Sequence, residues 1–270
     1  MGSALVEGVV RSGALAPDNL LLVDAHAESA AALARRTGGR VVGDAAETIA
    51  PGRLILMCVK PPDVEPLLAR LSPALEQHRP LVVSIAAGVS LDRLQYAAGE
   101  NVPVVRVMPN TPALVGRGVS AYSPAEDVDE AALGQIEAVF GAVGLVERVP
   151  EALMDAVTGT SGSGPAYIYT VIEALADGGC LMGLSKPQAL KFAAQTVAGA
   201  AEMVLQTGLH PAQLRDQVTS PGGTTIAGLA ALELAGLRGA LISAVQAAAE
   251  RSADMAREAE EAAADYDDEE

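Results

Sequence analysis

Short unbroken apolar runs punctuate the first 149 residues: 20–24 (LLLVD), 54–59 (LILMCV), 81–85 (LVVSI) and 102–107 (VPVVRV), with a briefer pair at Val41-Val42. Between them lie segments with helical spacing, at 2–11, 27–36 and 64–71. A strand that is apolar at every position is covered on both faces, and strand–helix alternation builds a parallel sheet with helices on either side. Ligands of such sheets bind at the carboxyl ends of the strands. The residues there are Asp24, then Cys58-Val59-Lys60-Pro61, then Ala86-Ala87-Gly88, then Asn110-Thr111. Small residues and prolines at successive strand ends suit a flat, extended ligand, although the same residues also make ordinary turns. Asp24 has the position of an acid that bonds an adenosine ribose, or equally that of a helix cap.

After a strand-like segment at 143–149 the pattern changes, and everything from Pro150 onward reads as helix. The segment 166–181 carries only Glu173 and Asp177 as charges, and 187–205 is broken mainly by Lys191 and Glu202. Helices apolar nearly all round are buried on more than one face. A helical domain of this size lacks the interior for that, so a second copy is expected against it, most simply through a two-fold axis. The expected organisation is an α/β domain at 1–149, an all-α domain at 150–257 and an acidic, disordered tail at 258–270.

One loop in the helical part carries chemistry. Gln217-Val218-Thr219-Ser220-Pro221-Gly222-Gly223-Thr224-Thr225-Ile226 opens into the apolar run 227–232. The glycines admit a ligand close to the backbone. A helix beginning at the threonines presents unpaired N–H groups and a partial positive charge, which hold a carboxylate or phosphate without a lysine. A tight turn with a helix cap accounts for the same residues.

Composition narrows the classes. The net charge is −16, about half of it from the last fourteen residues, aromatics make up 3%, and there is no tryptophan. Neither a polyanion partner nor stacked bases fit such a chain. Cys58 and Cys180 have no CxxC spacing and are expected to be buried, reduced thiols of a cytoplasmic protein. His26, His78 and His210 share no metal-ligand spacing. No uninterrupted apolar stretch reaches the length of a membrane helix, and no basic segment with an apolar core marks a signal peptide.

The residues resemble the pyrroline-5-carboxylate reductases. The likeness rests on Val59-Lys60-Pro61, Met108-Pro109-Asn110-Thr111-Pro112, the run from Thr158 to Tyr167 (TGTSGSGPAY), Ala174 to Gly183 (ALADGGCLMG) and Thr219 to Thr225, and it extends from Gly2 to about Met255. It implies a Rossmann-type domain followed by an all-α dimerisation domain. It implies hydride transfer from NADPH or NADH to the C=N carbon of a five-membered cyclic imine, giving L-proline. By position, Ser220, Gly223, Thr224 and Thr225 would bind substrate, with Thr225, and Ser220 beside it, as the catalytic hydroxyls. Gly2, Asp24, Cys58, Val59, Lys60, Pro61, Ala86, Ala87 and Asn110 would line the nucleotide cleft, and Gln217 would reach it from a neighbouring subunit of a homodimer or larger oligomer. No metal enters, in keeping with an iminium carbon that is electrophilic already.

The sequence departs from that pattern at its start. The resemblance calls for a strand and a Gly-x-Gly-Asn-Met turn before the first helix; Met1 stands in register with the last residue of that turn. The first strand is therefore absent, together with two phosphate-loop glycines. The native start is expected about ten residues upstream, the length of one strand and its turn. Gly162-Ser163-Gly164 is no substitute, because it follows a helical segment and lacks a third glycine. Asp24 would repel a 2′-phosphate, which His26 or Arg35 would offset, so the choice of dinucleotide stays open. Ala45 stands where many relatives have an asparagine. Besides the active reductase, two readings remain: an impaired homologue surviving as an oligomer, and a reductase of another imine or keto acid.

Overall fold

The computed structural model describes residues 1–267, with side chains described at 1–258 and 261. The chain divides into two compact units, Met1–Ser163 with the segment from Ala247 onward, and Gly164–Gln246.

The first unit opens with α1 (Gly2–Arg11), which buries Leu5 and Val9 one turn apart. Then come β1 (Leu21–Leu22), α2 (Ala27–Thr37) and β2 (Arg40–Val41), with β1 and β2 parallel. Gly38 ends α2 in the left-handed region, φ 78°, where a side chain would be strained. β3 (Leu54–Met57) leads into α3 (Pro61–His78), which buries Val64, Leu68, Leu71 and Leu75 as a stripe of helical period. β4 (Leu81–Ser84) is buried at every residue and precedes α4 (Leu91–Ala98). β5 (Val104–Met108) follows.

Residues of the sheet alternate between two cores, as the two-residue period of a strand requires. Val82 and Val104 face α3 and α4. Leu81, Val83, Val105 and Val107 face Leu5 and Val9 of α1 on the other side. The expected two-sided α/β sheet is thus present. Beyond it the structure adds elements that the apolar runs do not signal. β6 (Gly118–Pro124) pairs antiparallel with β5, α5 (Glu130–Gly141) packs Leu133, Ile136 and Phe140 into the second core, and β7 (Gly144–Arg148) runs parallel to β6. β6 buries Ser120 and Ser123 along with its apolar residues, which is why its pattern reads as no strand at all.

The sheet is in two pieces, β1–β2 and β3-β4-β5-β6-β7. No described strand joins β1 to β3. β3 is correspondingly half-buried at Leu54, Ile55 and Leu56, whereas its neighbour β4 is fully covered.

The segment after β7 stays with the first unit. It comprises a 3₁₀ turn at Glu151–Leu153, α6 (Met154–Val157) and a π-helical turn at Thr158–Gly162. The compact units separate at Ser163. The physical reason is bonding. Asn110 donates from Nδ2 to the Ser161 carbonyl at 3.0 Å, and Arg106 pairs with Glu151 at 3.1 Å.

The second unit contains α7 (Gly164–Leu181), α8 (Lys186–Thr207), α9 (Pro211–Gln217), α10 (Thr224–Leu234) and the first part of α11 (Leu237–Asp267). α7 and α8 approach closely because small residues meet: a Cβ on Gly179 would lie 3.2 Å from that of Ala189. The buried core of this unit is Ala176, Ala189 and Ala193. Large apolar side chains lie outside it, Phe192 at 56% exposure, Leu205 at 71% and Leu234 at 91%.

α11 continues to Asp267, where the sequence predicts a disordered tail from residue 258. Alanine and glutamate dominate that stretch, and both favour helix. Arg251 also bonds Glu258 through two nitrogens, extending the helix across the expected boundary. Residues 268–270 of that predicted tail lie outside the described residues. No single described helix is long and apolar enough to cross a membrane.

Candidate active site

In the first unit, the expected cofactor residues come from three successive strand ends. Asp24 is exposed just after β1, and its Oδ1 accepts the His26 amide at 2.8 Å, which shapes the turn into α2. The N-cap residue of α2 is His26, so Asp24 shapes the preceding turn and is not the helix cap. Ala45 starts a 3₁₀ turn capped by Asp44.

Lys60 is the N-cap residue of α3, and Pro61 begins that helix, its fixed φ suiting the first turn. Val59 packs on the first core. The start of α1 meets the end of β3: a Cβ on Gly2 would sit 2.7 Å from Cβ and Sγ of Cys58. Both cysteines are free, but Cys58 is exposed and Cys180 half-buried, so neither is the fully buried thiol that the sequence suggests. The reason for Cys58 is its place at the end of the open-edged β3. Although the residue presents surface to solvent, packing around its sulfur pushes the thiol up to about 11, against a smaller pull from the N-terminal ammonium. At pH 8 its alkylation by iodoacetamide is expected to run about a hundredfold slower than that of an unperturbed thiol, because the thiolate is the nucleophile. Mass-spectrometric labelling kinetics at that site check this.

Ala86 is buried and Ala87 half-buried beyond β4, and the Ala86 amide bonds Ser84 Oγ at 3.3 Å. Ala87 and Gly88 line a cavity of about 220 Å³ with Thr158, Ser163, Arg251 and Ser252. Its size suits one ring system, not a whole dinucleotide.

Asn110 is buried, its Nδ2 donates to Ser161 and its Oδ1 accepts the Val119 amide at 2.9 Å. Both polar ends thus make a bond inside the protein. The side chain anchors the π turn, a distortion that recurs at functional sites. The run Gly159 to Gly164 is the sequence signal for that turn, legible as small residues but not as an irregular helix.

The second unit holds the substrate loop. Thr219 Oγ1 donates to the Arg215 carbonyl at 2.7 Å and ties the loop to α9. Gly222 takes φ 68°, and Gly223 serves as N-cap of α10 with no side chain to cap it. A Cβ on Gly223 would collide with the Ser220 hydroxyl. The first helical bond is from the Ala227 amide to the Gly223 carbonyl at 3.4 Å. The amides of Thr224, Thr225 and Ile226 therefore have no helical acceptor, and Thr225 beside them is half-buried. Ser220, Gly223, Thr224 and Thr225 lie in and beside this first turn, where free amides are the kind of donors that receive an anion. Gln217, the last residue of α9, is exposed.

A doubly wound sheet with small residues at its strand ends, accompanied by a helical unit with an anion cradle, defines a dinucleotide-dependent oxidoreductase. The family model for pyrroline-5-carboxylate reductase dimerisation matches residues 151–255, and one described as NADP oxidoreductase, coenzyme F420-dependent, matches residues 1–88. The pyrroline-5-carboxylate reductase of Methanosarcina acetivorans is 44% identical over 257 residues, 95% of either chain, and that of a Synechocystis species is 45% identical over the same shares. The chain belongs to the pyrroline-5-carboxylate reductase family. Among solved structures, the enzyme of Coxiella burnetii aligns with a TM-score of 0.89 at 32% identity, covering 94% of both chains. The Plasmodium falciparum pyrroline carboxylate reductase, solved with NADP bound, aligns at 0.84 and 32% identity, covering 95% of this chain and 94% of that one.

Proposed function

We propose that this chain reduces 1-pyrroline-5-carboxylate to L-proline with NADPH or NADH, the last step of proline biosynthesis, as a cytoplasmic homodimer or larger homo-oligomer. The observation that carries the reading is the start of α10, where the amides of residues 224–226 are left without helical acceptors beside three hydroxyls. Family membership supports it.

The substrate carboxylate rests on those amides and on the partial positive charge of the helix end. Thr225 directs its hydroxyl at the ring nitrogen. Ser220 supports the cradle from the preceding turn. When bound, a reduced nicotinamide would supply the hydride for the imine carbon, and the one proton the ring nitrogen takes up first completes the neutral amine. The electrophile is activated by its own protonation, so the protein chiefly orients the reactants. Lys60, Pro61, Ala86 and Ala87 would hold the dinucleotide along the strand ends, with Gly2 and Cys58 beside its phosphates, Asp24 at its ribose and Gln217 serving a neighbouring subunit.

Two free thiols support a reducing compartment. The exposed apolar faces of the helical unit support self-association. The test is oxidation of each reduced dinucleotide with pyrroline-5-carboxylate. Turnover bears the reading out. An assembled protein that binds neither dinucleotide would instead be an impaired homologue.

A further inference from the structure

The loop from Ala86 to Ser90 joins β4 to α4, and its stability depends on how the first turn of α4 is held. Two acceptors reach that turn. Ser90 Oγ accepts the Arg93 amide at 3.4 Å, a long and weak bond. Glu151 Oε1 accepts the Leu91 amide at 2.7 Å from sixty residues further along the chain. The same oxygen receives Arg106 Nη1 at 3.1 Å, and Arg106 is only 8% exposed on the central strand β5. One carboxylate oxygen thus joins β5, the start of α4 and the 3₁₀ turn after β7. A negative charge is favoured at a helix N-terminus, and a charged acceptor makes the stronger hydrogen bond.

We propose that Glu151, oriented by Arg106, is a positioning residue for the cofactor-bearing loop. This rests on the reading that Ala86 and Ala87 face the dinucleotide. Glu151 fixes the end of that loop relative to β4 and β5 without touching the ligand. Arg106 keeps the carboxylate from swinging to solvent, where its 3₁₀ turn would otherwise leave it.

The experiment compares Glu151→Ala, Glu151→Gln and Arg106→Met with the unsubstituted protein. It uses hydrogen–deuterium exchange of the peptide spanning 85–93, dinucleotide titration and the KM of each reactant. In E151A the exchange of that peptide and the dinucleotide Kd are each expected to rise about tenfold, from loss of a charge-assisted bond. The imine KM should stay within about twofold, since its cradle lies in the other unit. E151Q keeps an acceptor for the Leu91 amide and should recover most of the protection. R106M should fall between the two and keeps the question answerable if E151A does not fold. Unchanged exchange in the folded variants overturns the positioning role, as does an imine KM that rises as far as the dinucleotide Kd. An unsubstituted protein that binds no dinucleotide overturns the cofactor reading itself, and with it this role.

Discussion

Replacing Thr225 with alanine is expected to lower turnover of pyrroline-5-carboxylate by about a hundredfold, the scale of one well-placed proton donor or orienting group. Of the three hydroxyl residues beside the free amides of α10, Thr225 is the half-buried one, and the amides themselves survive the substitution. Carboxylate binding should therefore persist, and the imine KM should change far less than kcat. That split distinguishes a group that matters in the transition state from one that binds the ground state. A helix start damaged by the mutation would raise KM as well. Steady-state kinetics of T225A against the same imine decide the matter. Retained kcat would show that the hydroxyl does not address the nitrogen, and would favour a reductase of a different substrate.

The second large effect concerns assembly. Phe192 lies on α8 with more than half its surface exposed, on a unit whose own core is three alanines. Phe192→Asp is expected to weaken the proposed homodimer by about a thousandfold, since a two-fold axis doubles the loss of about 2 kcal/mol for each phenyl ring. Sedimentation of the variant should show monomer where the unsubstituted protein is associated. Turnover should fall with it if Gln217 serves a neighbour. A variant that sediments like the parent would place the contact elsewhere on the helical unit.

The alternation of apolar runs with helical spacing made the two-sided sheet legible, because apolar residues dominate each run and Ser84 and Arg106 are single interruptions. The Leu5–Val9 face of α1 and the helix start at the threonines after Gly223 were readable for similar reasons: each depends on a local pattern. β6 was not readable, since its buried serines find their place only through pairing with β5. The bonds of Asn110 to Ser161 and Val119 were not readable, because a strand-end asparagine looks the same in sequence whether or not it holds a distant carbonyl. Arg106 and Glu151 gave no signal, being forty-five residues apart and joined only by the fold.

The place of Asp24 just after β1 has a consequence for cofactor choice. Asp24, the residue that would discriminate a plain ribose from a phosphorylated one, follows β1; Lys60 follows β3, and Ala86 and Ala87 follow β4. On the proposed reading, selectivity and hydride delivery fall to different strands. Exchanging residues 20–42 for those of a relative with the opposite taste would retune the adenosine end and leave the redox end as it was.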